Sequence, residues 1–149
     1  MASGPEHDIE QLNSLIRITL DSGQGYRDAA DKAGSSGFAS LFRDRGTQRH
    51  DIAERLQARV KGLGGEAEKS GSMLGAAGRL FANLKQSMAG TDASIIAAVE
   101  AGEDHVKAAY QQVITDGELS DPVRMAVESE FAQIQSDHDE TSKLQHGTA

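Results

Sequence analysis

The chain has 149 residues, enough for one domain with its own core and too few for two ordinary ones. Its 23 acidic and 15 basic residues give a net charge of −8, a balance that repels phosphate backbones and anionic lipid, so no nucleic-acid partner is expected. Cysteine is absent, which excludes disulfides, thiolate metal sites, cysteine nucleophiles and iron–sulfur ligation.

The two prolines, Pro5 and Pro122, leave long stretches without a helix breaker, and the scarcity of aromatic residues suits closely packed Ala, Leu, Ile and Val helices. Leu12, Leu15, Ile16, Thr19, Gly23, Tyr26, Ala30 and Ala33 recur at three- and four-residue steps, predicting a helix over 5–33 with Pro5 in its first turn. After the break at Gly34-Ser35-Ser36-Gly37, the stripe Phe38, Leu41, Phe42, Arg45, Arg49, Ile52, Leu56, Val60 and Leu63 predicts a second helix over 37–63. Gly64-Gly65 ends it. Residues 64–90 form a long crossover containing a short amphipathic helix marked by Met73, Ala77, Leu80, Phe81, Leu84 and Met88, read as a packing element over the bundle. A third helix, 91–116, carries Ile95, Ile96, Val99, Glu103, Val106, Tyr110 and Val113 inward. Asp121 before Pro122 is an N-cap followed by proline at the first helical position. The fourth helix, 122–145, shows Val123, Val127, Phe131, Ile134, His138 and Thr141. Short links within each pair of helices and one long link between pairs give an all-α, ferritin-like four-helix bundle with one long crossover. The expectation is one domain over 1–149.

Several strings also resemble an uncharacterised bacterial four-helix-bundle family of ferritin-like relationship. They are Leu12-Asn13-Ser14-Leu15-Ile16, Asp21, Gly25-Tyr26, Gln48-Arg49, Gly62-Leu63-Gly64-Gly65, Gly102-Glu103-Asp104 with Tyr110, and His138-Asp139. The resemblance implies the same bundle. It implies no activity, since the family is a domain of unknown function often linked to stress response.

A di-iron carboxylate bundle takes a Glu from each of two helices and a Glu-x-x-His pair from each of the other two. No Glu-x-x-His occurs here; the nearest strings are Thr47-Gln48-Arg49-His50 and Gln135-Ser136-Asp137-His138. Counting outward from the interhelical turns nevertheless puts Tyr26, Arg45, Gln48, Arg49, Glu103 and His138 at one mid-bundle level. A buried carboxylate there must be paired, protonated or metal-bound. Three readings follow. The layer is a hydrogen-bond network that fixes helix register, with Arg45 or Arg49 supplying the charge that a metal supplies in ferritins. Alternatively it is a single-metal site for iron or manganese on Glu103 and His138, with Glu130 as a further ligand. In the third, the register is off by one position and Glu103 or His138 faces solvent. His50 and Glu54, at i, i+4, are read as an exposed polar pair, and Asp21 as an ion-pair partner of Arg17 or Arg49.

Gly23, Gly25, Gly46 and Gly102 interrupt three helices near the same level, which predicts close helix approach, with a small-ligand cavity as the lesser reading. There is no phosphate loop and no Gly-x-Ser-x-Gly elbow. His7, His105 and His146 lack ligand-like company. The N-terminus shows no leader pattern and no stretch approaches the ~18 apolar residues of a membrane span, so a cytoplasmic location is expected. The functional expectation is a non-enzymatic, self-associating bundle, with a homodimer as the simplest assembly and an iron- or manganese-binding protein as the alternative.

Overall fold

The computed structural model describes residues 5–33, 37–71 and 92–146. The described helices are α1 (Pro5–Ala33), α2 (Gly37–Gly62), α3 (Asp92–Ile114) and α4 (Asp121–His146), and no strand occurs among the described residues. Helix boundaries fall where the chain supplies its own terminators. Pro5 and Pro122 sit in first turns, where a missing N–H costs nothing. At the end of α2, Gly64 takes a left-handed φ of 87°, its N–H bonds Lys61 O at 3.0 Å and Gly65 N–H bonds Val60 O at 3.0 Å. That is a Schellman cap, and it needs glycine because a side chain disfavours positive φ. The amphipathic helix expected over 73–88 lies outside the described residues.

Backbones approach most closely between α1 and α2, α1 and α3, and α3 and α4. Two apolar clusters fill the interior. One runs through Leu12, Leu15, Ile16, Ile52, Leu56, Val106, Tyr110, Val127 and Ile134. The other joins Tyr26, Ala29, Ala30, Phe42, Ile95, Ile96 and Val99. The direction of each helix follows from its contacts. Gln11 bonds Asp116, Thr19 bonds Tyr110 and Ser22 bonds Glu103, so α3 runs antiparallel to α1. Arg45, Arg49 and Arg55 pair in turn with Glu140, Asp137 and Glu130, so α4 runs antiparallel to α2. Past α2, the chain turns back along α1. Gly65 lies against Ile9, Asn13 bonds the backbone of Glu66 and Glu68, and Gly71 lies against Asp21.

Gly23 and Gly46 mark the closest approach of α1 and α2. A Cβ on Gly46 would lie 3.3 Å from Gly23 O, and one on Gly23 would lie 3.5 Å from Gly46 O. Gly102 is also buried, and Gly25 is half-buried. The glycine level is therefore a site of close packing at α1–α2.

The far end of α1 is tied to the α3–α4 turn. Ser120 N–H donates to Asp8 at 3.0 Å, Gln11 donates to Asp116 Oδ2 at 2.7 Å, and His7 Nε2 lies 2.6 Å from the same oxygen. Arg124 donates back to the carbonyls of Ile114, Asp116 and Leu119, which satisfies the open C-terminus of α3. The hydrogen bond to Asp116 raises the pKa of His7. That of Asp116 is lowered, first by the Glu118 N–H and then by His7. A raised histidine pKa stabilises the fold below the unfolded value of about 6.5, and that gain is lost as pH rises through the folded value. Asp116 acts at the other edge, its contribution fading as pH falls through its lowered pKa. Compared with His7→Gln in urea titrations, the wild type should be more stable at mildly acidic pH and converge with the variant at alkaline pH. The effect is small because the pair is partly solvated. A constant difference across pH would contradict the latch.

Candidate functional site

The mid-bundle level holds a network of buried charge centred on Arg49, which is 0% exposed. Arg49 lies on the inward stripe of α2, one turn above Ile52 and beside the glycine contact, so its stem starts close to α1 and its head reaches the bundle axis. Each of its three nitrogens has an acceptor. Nε donates to Ser22 Oγ at 3.2 Å. Nη1 donates to Gln48 Oε1 at 3.1 Å and Asp137 Oδ2 at 2.8 Å. Nη2 donates to Glu103 Oε1 at 2.9 Å and Oε2 at 2.8 Å. One guanidinium thus joins a hydroxyl on α1, an amide on its own helix, and carboxylates from α3 and α4.

A second cation closes the layer. Arg45 lies 3.4 Å from Asp137 Oδ1 through Nε, donates to Asp137 O at 3.3 Å and to the Tyr26 hydroxyl at 3.5 Å, and pairs with Glu140 at the rim. The Tyr26 ring lies 5.5 Å from the Arg49 guanidinium carbon and 6.0 Å from that of Arg45, within cation–π range. Inside the layer two guanidiniums face two carboxylates, Glu103 and Asp137, and Glu140 adds a third carboxylate at the exposed rim. Burial alone would lower the pKa of Arg49, but Glu103, Tyr26 and Asp137 more than offset it, so the guanidinium is held charged. Burial, then the nearby Glu103 charge, pushes the Tyr26 phenol up and keeps it neutral. Arg49 and Tyr26 are thus both held in their ordinary protonation states, the one charged and the other neutral.

Tyr26, Arg45, Gln48, Arg49 and Glu103 meet in this one network. His138 does not join it. It sits at the α3–α4 edge, 15% exposed, with Nε2 2.5 Å from Asp104 and Nδ1 3.7 Å from Asp139. Asp137, its neighbour, takes the inward position. Glu130 is elsewhere again, held by Arg55 through two hydrogen bonds of 2.7 and 2.8 Å. Glu103, His138 and Glu130 are therefore on three separate pairs and form no common donor set. Among the described residues no group of three or more His, Asp or Glu side chains is placed to hold a metal ion. Both oxygens of Glu103 instead face the Arg49 guanidinium. His50 and Glu54 are exposed. Arg17 pairs with Glu68 at 3.7 Å, and Asp21 is buried against Gly71.

Two buried members, Ser22 and Asp137, and Glu140 at the rim were not foreseen. Ser22 follows Thr19 by one turn, and a small hydroxyl beside an apolar stripe gives only a faint signal. Asp137 and His138 lie three and four residues after Ile134, and both spacings fit an inward face. The antiparallel count found the level but not the side.

Fold and site together define, among the described residues, an all-α arrangement of four helices organised around a buried arginine–carboxylate network. Residues 7–116 match the family described as a domain of unknown function, DUF2383, and the chain belongs to that family. The match spans α1, α2 and α3 and ends before α4, so Asp137 and His138 lie beyond it. No curated protein matches the sequence. No described helix is long and apolar enough to cross a membrane.

Proposed function

We propose that this protein is a ferritin-like bundle in which Arg49 occupies the position taken by metal in the di-iron carboxylate proteins, and that it acts by association rather than catalysis. The observation that carries the reading is the contact of Arg49 Nη2 with both oxygens of Glu103, completed by Nη1 on Asp137. In a di-iron bundle, carboxylates from facing helices converge on cations. Here they converge on a guanidinium, which supplies charge and five directed donors but no open coordination position or redox change. The helix directions support a ferritin-like layout, since α2 and α3 run parallel and the chain leaving α2 climbs along α1 from Ile9 to Asp21. Such a pairing of directions requires one long crossover. A stress-associated role is the expectation that goes with the family resemblance, and self-association is the simplest form of action for a bundle with no reactive group at its centre.

Thermal unfolding with excess manganese(II), and separately with iron(II) under anaerobic conditions, tests the reading. A ligand that binds the folded state raises its stability in proportion to occupancy. The expected result is no change in Tm. A rise that disappears in Glu103→Ala would restore the metal-binding alternative.

A further inference from the structure

The turn between α3 and α4 holds Asp116-Gly117, the only Asp-Gly or Asn-Gly pair in the chain. Such a pair carries a reaction of its own, because glycine has no side chain to shield its amide nitrogen from the carboxyl carbon of the preceding aspartate. Gly117 is exposed, a Cβ there would meet nothing within 4 Å, and its N–H makes no hydrogen bond among the described residues. The nucleophile is therefore open. The carboxyl group is guarded. Its Oδ1 accepts the Glu118 N–H at 2.9 Å, an Asx turn that folds the group back across the Gly117 peptide. Its Oδ2 is held from α1, where Gln11 donates at 2.7 Å and His7 Nε2 lies at 2.6 Å. These partners favour the ionised form, and it is the neutral acid that loses water readily. His7 belongs to the first turn of α1, and helix ends fray, so the guard is held by the loosest part of that helix.

We propose that Asp116-Gly117 is a latent site of isoaspartate formation, closed while the first turns of α1 hold the Asp116 carboxylate and opened when they let go. The reaction takes no partner but water. Gly117 N attacks Asp116 Cγ, an N–C bond forms as a C–O bond breaks, and the amide proton leaves with the hydroxyl as one water molecule. The product is a cyclic imide. Water then adds to one of its two carbonyl carbons and breaks a C–N bond, with no oxidation or reduction in either step. Opening at Cγ restores aspartate. Opening at the main-chain carbonyl sends the chain through Cβ and Cγ, one methylene longer, and leaves the free carboxylate on Cα. The longer chain cannot rebuild the turn. Arg124 Nη2 and the Leu119 N–H both donate to Asp116 O, at 2.9 and 3.2 Å, and in the isoaspartyl chain that oxygen belongs to the free carboxylate rather than to a peptide. The position that His7 and Gln11 grip is displaced with it. Release of α1 thus admits the modification, and the modification keeps α1 released.

Peptide mapping with electron-transfer fragmentation, which separates isoaspartate from aspartate, tests this on the full chain held folded at 37 °C. The wild type should form isoaspartate at Asp116 slowly. His7→Ala/Gln11→Ala, with an unchanged circular dichroism spectrum, should form it about three- to tenfold faster, since a one-unit rise in a carboxyl pKa makes the neutral form about ten times as frequent. Gln11→Ala alone, the milder change, should give a smaller rise in the same direction. Adding Gly117→Ala should bring the rate back to the wild-type value or below. Gly46→Leu, which weakens the α1–α2 contact instead, should leave the rate near wild type. Equal rates with and without the latch would overturn the proposal, as would an absence of isoaspartate at Asp116 in every variant. A rise of the same size in Gly46→Leu would assign the reaction to global unfolding and overturn the gate.

Discussion

Arg49→Leu is expected to destabilise the protein by about 3–5 kcal/mol, because it leaves Glu103 buried without its cation and strips Asp137 of one of two. That is a large part of the roughly 5–15 kcal/mol that holds an ordinary domain together, so the variant should unfold at far lower urea and be partly unfolded at 37 °C. The cost lies in the stranded carboxylate rather than in the intrinsic worth of the pair. Arg49→Met combined with Glu103→Leu should therefore be more stable than Arg49→Leu alone, since Asp137 keeps Arg45 and the centre becomes apolar. Chemical denaturation of the three proteins decides the matter. An Arg49→Leu variant within about 1 kcal/mol of wild type would show that the guanidinium is not the keystone of the layer.

Gly46→Leu carries the second large effect. Its Cβ alone would sit 3.3 Å from the Gly23 carbonyl and 3.4 Å from Arg27 Cγ, so the rest of a leucine has no room. Overpacking of this kind costs about 1–3 kcal/mol, and more here if α1 and α2 separate, because Arg49 and Ser22 sit beside the contact. Gly23→Ala is the control. Its Cβ meets ordinary contacts at 3.5 Å, and replacing a helical glycine by alanine gains about 0.5–1 kcal/mol. The pair of variants should thus move stability in opposite directions, read from urea midpoints. If both proved neutral, the glycine level would be a tolerated irregularity rather than a packing device.

The bundle was legible because α1, α2 and α3 obey one periodicity with few interruptions. Leu12, Leu15, Ile16, Ile52, Leu56, Val60, Ile95, Val99, Val106 and Tyr110, read as inward from spacing alone, are all buried. The candidate site was legible in level, and only partly in identity. Glu103 and Arg49 stood out because each interrupts an apolar stripe and neither has a solvated neighbour on the same line. Asp137 was obscured by a neighbour with more familiar chemistry. A histidine beside an aspartate invites a metal reading, yet a rotation of 100° about α4 separates the inward position from the edge, and spacing cannot choose between three and four residues after Ile134. Charge balance offers a better guide. Two buried guanidiniums require two buried carboxylates, and Glu103 alone leaves the count one short. The interhelical clamp at Asp8, His7, Gln11 and Asp116 was beyond sequence reading because it depends on which helix end meets which turn.

The family match ends at Asp116, so the matched residues include Arg49 and Glu103 but not Asp137. The Arg49–Glu103 pair is thus internal to the matched region, and α4 contributes the second carboxylate from outside it.

Elemental analysis of protein expressed in iron- and manganese-supplemented medium tests the central claim most directly, with Glu103→Ala as the comparison. The account predicts that the wild type carries no stoichiometric iron or manganese, because Arg49 already holds the carboxylates a metal would need. About one metal per chain in the wild type, lost in Glu103→Ala, would mean that the carboxylate leaves Arg49 to bind metal, and it would contradict the account.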